Sequence, residues 1–285
     1  MIPQSSAVTV VLRMACATAW LAVLGAGADD VPYPWRSGRP ERVLARSIRV
    51  PAGYRRVPLR KGSFGHWLRY LPLKATGSPV LLHDGTRKRN QDAHVAVLDL
   101  DVGNRNLQQC ADAVIRLRAE YLFAAKRQAD IRFHFTSGDE AVFSSWARGD
   151  RPLVQGNRVQ WRRRGAADAS HASLRRYLDI VFSYAGTLSL ARELKARQPA
   201  HLQVGDVFIR GGSPGHAVLV VDVAFHPPTG ERVFLLVQSY MPAQDIHVLK
   251  NPAADGLSPW YRIPTDGPLR TPEWTFRMRE LKRFP

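Results

Sequence analysis

The sequence is poor in cysteine, in acidic residues relative to basic ones, and in long apolar runs. Two cysteines in 285 residues exclude a scaffold held together by several disulfides. Hydrophobic residues make up 45% of the chain, a share that excludes an intrinsically disordered protein. Beyond residue 28 no stretch approaches the ~20 apolar residues of a transmembrane helix, so we expect no membrane anchor in the mature protein.

Motifs for metals and nucleotides are missing as well. The 9 histidines are scattered, without a His-Glu-x-x-His pair, and there is no paired-cysteine motif and no Gly-x-x-x-x-Gly-Lys phosphate loop. The sequence therefore predicts a protein without a metal site and without a cofactor.

The one long apolar run lies at the N-terminus. Residues Met14–Leu24 are apolar and follow the single charge of Arg13, and Ala26, Gly27 and Ala28 then supply the small residues of a cleavage site. This pattern predicts a signal peptide over residues 1–28, cleaved after Ala28. We therefore expect an exported protein, periplasmic or extracellular.

Basic residues outnumber acidic ones 41 to 24, and 34 of the basic residues are arginine. The formal net charge of +17 attracts polyanions such as anionic envelope polymers. The arginines are spread along the whole chain, however, and the runs Arg87–Arg89 and Arg162–Arg164 belong to no nucleic-acid-binding motif. We interpret both runs as solvated loops and expect no specific nucleic-acid partner.

The distribution of proline and apolar residues divides the mature chain into two regions. Residues 29–61 are rich in Pro and Arg and are expected to form an extended lead-in, and residues 62–285 are expected to form a single α+β domain. The last three strands should form an antiparallel meander, and the Pro- and Trp-rich tail should wrap the surface. The helices predicted from apolar spacing are Asn106–Ala125, Ala172–Ala185 and Ser189–Arg197, and the predicted strands are Trp67–Leu71, Val80–Leu82, Ala93–Asp101, Ile131–Phe135, Val142–Trp146, Val159–Trp161, Asp206–Arg210, His216–Phe225 and Arg232–Tyr240.

Cys110 is the one cysteine that remains once the signal peptide is removed. It lies near the start of the predicted helix Asn106–Ala125, where free backbone N–H groups and the helix dipole stabilise a thiolate. It also shares the apolar helix face with Val114 and Leu117. The position therefore fits either a nucleophile or a packed core thiol.

His216 opens a predicted strand directly after the turn Gly211–Gly215, where an imidazole fits the rim of a site or a structural role. The next strand ends with Gln238 and Ser239, and either can hydrogen-bond the far ring nitrogen of His216 and fix its tautomer. A nucleophile, a base and an orienting group are the parts of a cysteine hydrolase. We therefore take Cys110, His216 and Gln238 as the candidate catalytic residues.

Two further groups of residues are candidates for oxyanion and substrate binding. Gln108 and Gln109 can supply an amide to an oxyanion, or they can cap the helix. The cleft beside the predicted base is expected to hold Tyr240, Gln244 and Trp260 as substrate-binding residues. The segment 239–244 equally fits a turn that ends the strand.

One segment resembles part of a known group of hydrolases. Gly205–Ile209 followed by Pro214–Val221 is similar to the Gly-Asp to His-strand segment of the NlpC/P60 and CHAP peptidoglycan hydrolases. The resemblance implies a papain-like fold, in which a helix bearing the Cys packs on an antiparallel sheet bearing the His. The order of Cys110, His216 and Gln238 matches that of those families. The residue before the cysteine is Gln rather than Asp, no Ser-Gly follows it, and the gap between Cys and His is longer than those families show.

A second resemblance covers nearly the whole mature chain. The sequence is identified as a member of domain-of-unknown-function family 4846, and no activity comes with that family. The segments that carry the resemblance are Leu107–Asp112, Arg116–Arg118, Glu120–Leu122, Tyr184–Leu190, Gly211–His216, Gln238–Gln244 and Ser258–Tyr261.

The sequence predicts an exported cysteine hydrolase, a peptidase or amidase whose substrate is a peptide or a cell-envelope polymer. The alternative is a non-enzymatic envelope protein that binds a glycan or peptide in the same cleft. The two differ in the chemistry of one thiol. A catalytic Cys110 should alkylate rapidly near neutral pH and lose that rate in the His216→Ala variant.

Overall fold

The computed structural model describes residues 33–253 and 256–285. The predicted signal peptide over residues 1–28, with its cleavage site, lies outside these residues. No helix in the described segments has the length and apolar character needed to cross a membrane.

Six helices and fifteen strands make up the described part of the chain. The helices are α1 (Leu44–Ser47), α2 (Phe64–Arg69), α3 (Cys110–Ala124), α4 (Phe143–Ala147), α5 (His171–Tyr184) and α6 (Thr187–Glu193). The strands are β1 (Arg55–Arg56), β2 (His94–Val97), β3 (Arg132–His134), β4 (Glu140–Val142), β5 (Asp150–Gln155), β6 (Arg158–Arg163), β7 (Lys195–Ala196), β8 (Val207–Arg210), β9 (His216–Phe225), β10 (Arg232–Gln238), β11 (His247–Leu249), β12 (Tyr261–Arg262), β13 (Leu269–Arg270), β14 (Thr275–Phe276) and β15 (Leu281–Arg283).

One large antiparallel sheet organises the fold. Its strand order is β2-β11-β10-β9-β8-β15-β7, with β1 paired to β9 and β12 paired to β10. The strands β8, β9 and β10 are neighbours in chain order and pair antiparallel, which confirms the predicted meander. The hairpins β3-β4, β5-β6 and β13-β14 form separate two-stranded ladders. The architecture is therefore α+β, with several helices and one large antiparallel sheet.

The central strand β9 is buried along nearly its whole length, from His216 to Ala224. A continuous apolar run of this kind is typical of a strand covered on both faces. Its one acidic residue is Asp222, and the two carboxylate oxygens accept hydrogen bonds from Arg56 Nε (2.6 Å) and Arg69 Nε (2.7 Å). The buried charge is thus paired on both sides, as a charge in a protein interior must be.

Helix α3 lies against β9 and is mostly buried itself. It begins at Cys110, four residues later than the apolar spacing predicted. Gln109 occupies the N-cap position, and its backbone N–H donates to the carboxylate of Asp112 (3.0 Å). An acidic side chain in the first turn suits the positive end of the helix. Cys110 is therefore the first residue of the helix, and α3 delivers it to the strand that carries His216.

Two of the predicted strands are helical. Trp67–Leu71 largely falls in α2 and Val142–Trp146 largely falls in α4. Short apolar runs fit a buried helix turn as well as a strand. Ser63 caps α2 by accepting from the His66 N–H (3.2 Å), and a serine directly before an apolar run indicates the start of a helix.

The other predicted helices agree with the structure to within a few residues. Helix α5 matches the predicted span 172–185 to one residue at each end, and Ser170 caps it by accepting from the Ser173 N–H (3.2 Å). Helix α6 begins two residues before and ends four residues before the predicted span 189–197.

The Pro- and Arg-rich region before residue 62 packs on the domain from Tyr33 onward. Tyr33, Leu44 and Ile48 are buried in the same core as the sheet. The segment contains the short helix α1 in addition to extended chain, and β1 joins the sheet by pairing with β9.

Candidate functional site

A cavity of about 430 Å³ opens where the start of α3 meets the turn before β9 and the end of β10. Cys110 and His216 both line it, and so do Gln109 and Tyr240. The hairpin β13-β14 closes one side with Trp274. The cavity thereby brings His216, Tyr240 and Trp274, which lie 106 to 164 positions after Cys110 in the chain, close to it.

The sulfur of Cys110 lies among backbone N–H groups. Those of Cys110 itself and Ala111 come from the free N-terminal end of α3, and that of Ala217 comes from β9, one residue after His216. The side chain is only partly exposed. Burial, and then the neighbouring Asp112 carboxyl, raise the pKa of the Cys110 thiol to about 11, and the three N–H groups oppose that rise. In the free protein Cys110 is therefore a neutral thiol near neutral pH.

His216 is 1% exposed and lies under a cover of aromatic rings. The ring centroids of Tyr240, Trp274 and Phe276 lie 4.8, 5.3 and 5.9 Å from that of the imidazole. Burial lowers the pKa of His216 to about 4, and its hydrogen bond to Gln238 only partly offsets this. The imidazole is therefore neutral near neutral pH.

A chain of polar contacts fixes the orientation of His216. Its Nε2 lies 2.9 Å from Gln238 Oε1, and the amide Nε2 of Gln238 donates to Glu273 Oε2 over 2.7 Å. Lys88 Nζ donates to the same carboxylate oxygen. A carboxylate can only accept, so Glu273 holds the Gln238 amide nitrogen and turns the amide oxygen toward His216. His216 Nε2 must then carry the hydrogen, which leaves Nδ1 as the basic nitrogen.

The second amide hydrogen of Gln238 is also used. Gln238 Nε2 lies 3.3 Å from His247 Nε2, and His247 Nδ1 donates to the carbonyl oxygen of Asp245 (2.9 Å). Burial lowers the pKa of His247 to about 3, so this ring is neutral and accepts from the amide. The buried network around Gln238 is thus satisfied at each polar atom of the amide, which favours one arrangement.

Asp112 adds a carboxyl group to the cavity wall. It is 6% exposed, Oδ2 accepts from the Gln109 N–H, and Oδ1 has no hydrogen-bond partner within the described residues. Burial raises the pKa of Asp112 to about 7. The cavity therefore holds a carboxyl group that changes charge close to neutral pH.

The turn that presents His216 is built on the start of α6. Thr187 Oγ1 donates to the Gly212 carbonyl (3.1 Å) and accepts from the Gly212 N–H (3.3 Å). A Cβ atom on Gly215 would lie 2.4 Å from both the Gly212 oxygen and Thr187 Oγ1, and 2.8 Å from the Arg210 oxygen. Only glycine fits directly before His216.

The structure brings together five of the candidates, since Cys110, His216, Gln109 and Tyr240 line the cavity and Gln238 contacts His216. The other four candidates, Gln108, Ser239, Gln244 and Trp260, do not line the cavity. Gln108 and Ser239 make contacts that hold the segment before α3 in place.

Gln108 is buried, and its amide oxygen accepts from Arg116 Nη1 (3.1 Å) instead of facing Cys110. Ser239 Oγ lies 3.0 and 2.8 Å from the carbonyl oxygens of Gln108 and Gln244, so it ties β10 to the segment before α3 and does not contact His216.

Gln244 and Trp260 are the other two candidates outside the cavity. Gln244 is 1% exposed, and its amide donates to the carbonyl of Pro242 (2.9 Å), as expected for a turn. Trp260 is buried, and its indole N–H donates to the carbonyl of Arg49 (2.8 Å). Both contacts stabilise the fold rather than form the cavity wall.

Sequence reasoning missed Glu273, Trp274 and Lys88. We interpreted the run Arg87–Arg89 as a solvated loop, but Lys88 is 7% exposed and paired with Glu273. The tail was expected to wrap the surface, but its hairpin turn inserts Glu273 and Trp274 beside His216. No local pattern marks these residues, because their partners are distant in the chain.

Within residues 33–253 and 256–285, no group of three or more His, Cys, Asp or Glu side chains is arranged to hold a metal ion. The chain matches the family described as a domain of unknown function (4846) over residues 44–283. It belongs to this family. No protein of curated function and no solved structure matches the chain, and the resemblance to NlpC/P60 and CHAP hydrolases has no counterpart among these findings.

Proposed function

We propose that this protein is an exported cysteine hydrolase, a peptidase or amidase of papain-like arrangement that acts on peptides of the cell envelope. The observation that carries the proposal is the cavity that Cys110 and His216 both line. It joins the first residue of a helix to the strand that bears an oriented imidazole. A nucleophile, a base and an orienting amide are the parts that covalent amide hydrolysis requires.

In the first step the Cys110 sulfur attacks the amide carbonyl carbon while its proton passes to Nδ1 of His216. The carbonyl π electrons move to oxygen, and the N–H groups of Cys110 and Ala111 with the Gln109 amide stabilise the negative charge. The imidazolium then gives its proton to the amide nitrogen, and the C–N bond breaks. The amine is released, and the acyl group remains on Cys110 as a thioester.

In the second step His216 takes a proton from water as the water oxygen attacks the thioester carbon. The C–S bond breaks, the carboxylic acid is released, and the proton returns to the sulfur. Gln238 acts as a positioning residue throughout, because its amide oxygen accepts from His216 Nε2–H in both protonation states.

The raised pKa of Cys110 and the lowered pKa of His216 both result from burial, and they define a neutral thiol and imidazole at rest. The proton therefore moves during attack, not beforehand, and His216 serves as a general base.

The same burial favours the second candidate function, a non-enzymatic envelope protein that binds a peptide or glycan in this cavity. His216 is 1% exposed, and the rings of Tyr240 and Trp274 that cover it suit a sugar or a peptide side chain. In that function Cys110 lines the cavity and takes part in no reaction.

Alkylation of the native protein by iodoacetamide near neutral pH, followed by intact mass, separates the two. With His216 as general base, we expect His216→Ala to slow alkylation of Cys110 by about a hundredfold. The matched control is His226→Ala, at a partly exposed histidine on the turn after β9. In the chain without residues 1–28, and so without Cys16, Cys110→Ser should take up no label.

A parallel incubation with soluble peptidoglycan fragments, read by mass, reports amide cleavage directly. Cleavage that is lost in Cys110→Ser supports the hydrolase. Equal alkylation rates in the wild type and His216→Ala, or labelling only after unfolding, would overturn the hydrolase and leave the binding protein as the remaining candidate.

A further inference from the structure

A second cavity, of about 490 Å³, lies along the C-terminal half of α3. Arg118 and Leu122 of α3 form one wall, Phe133 of β3 contributes another, and Phe284 closes one end. It shares no lining residue with the cavity that holds Cys110. Its volume lies within the range of small-molecule sites.

Positive charge dominates this second cavity. Of its two acidic side chains, Asp130 Oδ2 already accepts from Arg127 Nε (2.7 Å), and Glu193 Oε1 accepts from the His134 backbone N–H (2.6 Å). The basic residues in the wall are Arg118, Arg127, Arg132, Arg192 and Lys195.

Three of these cations have no carboxylate within ion-pair distance in the described part of the chain: Arg118, Arg192 and Lys195. Arg192 and Lys195 are exposed, so water solvates them. Arg118 is only partly exposed, and burial together with nearby Arg127 lowers its pKa. A guanidinium held partly out of water is stabilised by an anion, and the nearby Asp130 carboxylate already accepts from Arg127.

Aromatic rings hold the Arg118 guanidinium in place. Its central carbon lies 5.1 Å from the ring centroid of Phe64, 5.9 Å from that of Tyr121 and 5.0 Å from that of Phe284. Cation–π contacts use the face of the guanidinium and leave its N–H edge available. A planar edge with parallel N–H donors matches the two oxygens of a carboxylate or phosphate.

We propose that this second cavity binds a ligand carrying phosphate or carboxylate groups, with Arg118 as the central contact and Arg192 and Lys195 at the rim. The proposal is independent of the chemistry at Cys110. Under this proposal, part of the positive charge of the chain serves a specific anion-binding site instead of only a non-specific attraction to polyanions.

The test is a calorimetric titration of the full chain with pyrophosphate and, separately, with citrate, at constant ionic strength. Saturable binding of either probe is expected, and the tighter one identifies phosphate or carboxylate as the preferred group. Arg118→Gln should weaken binding about tenfold or more, because it removes the charge and the paired donors. Arg162→Gln, an equal change of charge on exposed β6, should leave binding unchanged.

Because Arg118 packs against three rings, a second comparison uses surface residues only. Arg192→Gln with Lys195→Gln should weaken binding several-fold, while Arg162→Gln with Arg164→Gln should not. Equal weakening by both pairs would show diffuse attraction to a basic protein and overturn the proposal, as would the absence of saturable binding. Neither outcome bears on hydrolysis, which depends on Cys110.

Discussion

His216 Nε2 donates a hydrogen bond to Gln238 Oε1 over 2.9 Å, deep beneath the aromatic cover of the first cavity. The acceptor is an amide, which in isolation can present either its oxygen or its nitrogen. Glu273 and His247 remove that ambiguity, because both accept from Gln238 Nε2, at 2.7 and 3.3 Å. The acceptors around Gln238 thus determine which nitrogen of His216 is basic.

Glu273→Gln should therefore alter the tautomer of His216. An amide at position 273 can donate or accept, so only the longer contact to His247 (3.3 Å) still opposes a turn of Gln238 that offers its nitrogen to His216. We expect nitrogen NMR to show one tautomer, with hydrogen on Nε2, in the wild type and a mixture in the variant. Glu280→Gln, which alters the tail at the ion pair with Arg210, is the control and should keep the wild-type tautomer. An unchanged tautomer in Glu273→Gln would remove the orienting role of Glu273.

Lys88→Met should destabilise the protein by about 3 kcal/mol, because it leaves the Glu273 carboxylate, which is only 14% exposed, without its cation. The comparison is Arg127→Met, which breaks an ion pair whose side chains are about half exposed and should cost less than ~1 kcal/mol. Urea unfolding of both variants measures the difference. Similar losses in the two would mean that the pair at Lys88 is no more important than a surface ion pair.

Gly215→Ala should lower the free energy of unfolding by about 1–3 kcal/mol or more, because the added Cβ overlaps the Gly212 oxygen and Thr187 Oγ1. The turn before His216 must then shift. Gly186→Ala is the matched control in the same cavity wall. Gly186 has an extended backbone and no atom within 4 Å of the new Cβ, so this substitution should be tolerated. Thermal unfolding and the alkylation rate of Cys110 report the two effects, and a stable Gly215→Ala would contradict the packing.

Stability should fall as the pH drops from about 6.5 toward 4. Burial lowers the pKa of His216 from 6.5 to about 4 and that of His247 to about 3, so in this range the unfolded chain holds two more protons at these sites. Burial raises the pKa of Asp112 from 3.8 to about 7, so there the folded chain holds one more. Across these three sites the unfolded state therefore binds a net one proton more, and their combined contribution to stability rises with pH.

Asp112→Asn isolates the opposing contribution. Without the carboxyl the net difference becomes two protons, so the free energy of unfolding should change more steeply by about 1.4 kcal/mol per pH unit between pH ~4 and ~6.5. Urea unfolding at several pH values in the wild type and the variant gives the two slopes. Parallel profiles would mean that Asp112 is ionised in the folded protein across this range.

The sequence by itself determined the α+β class, the meander from β8 to β10 and helix α5, because apolar periodicity and turn residues are local properties. It also singled out Cys110, His216 and Gln238 from a helix start, a turn and a strand end. Short apolar runs were ambiguous, so α2 and α4 were predicted as strands.

Only the tertiary structure decided what surrounds these residues. Glu273, Trp274 and Lys88 reach His216 through contacts between distant parts of the chain, and Gln108 and Trp260 turn away for the same reason. The pKa values of Cys110, His216 and Asp112 are shifted mainly by burial, a property of the packed molecule. Chemistry-bearing residue types are thus visible in the sequence, whereas their protonation and partners are set by packing.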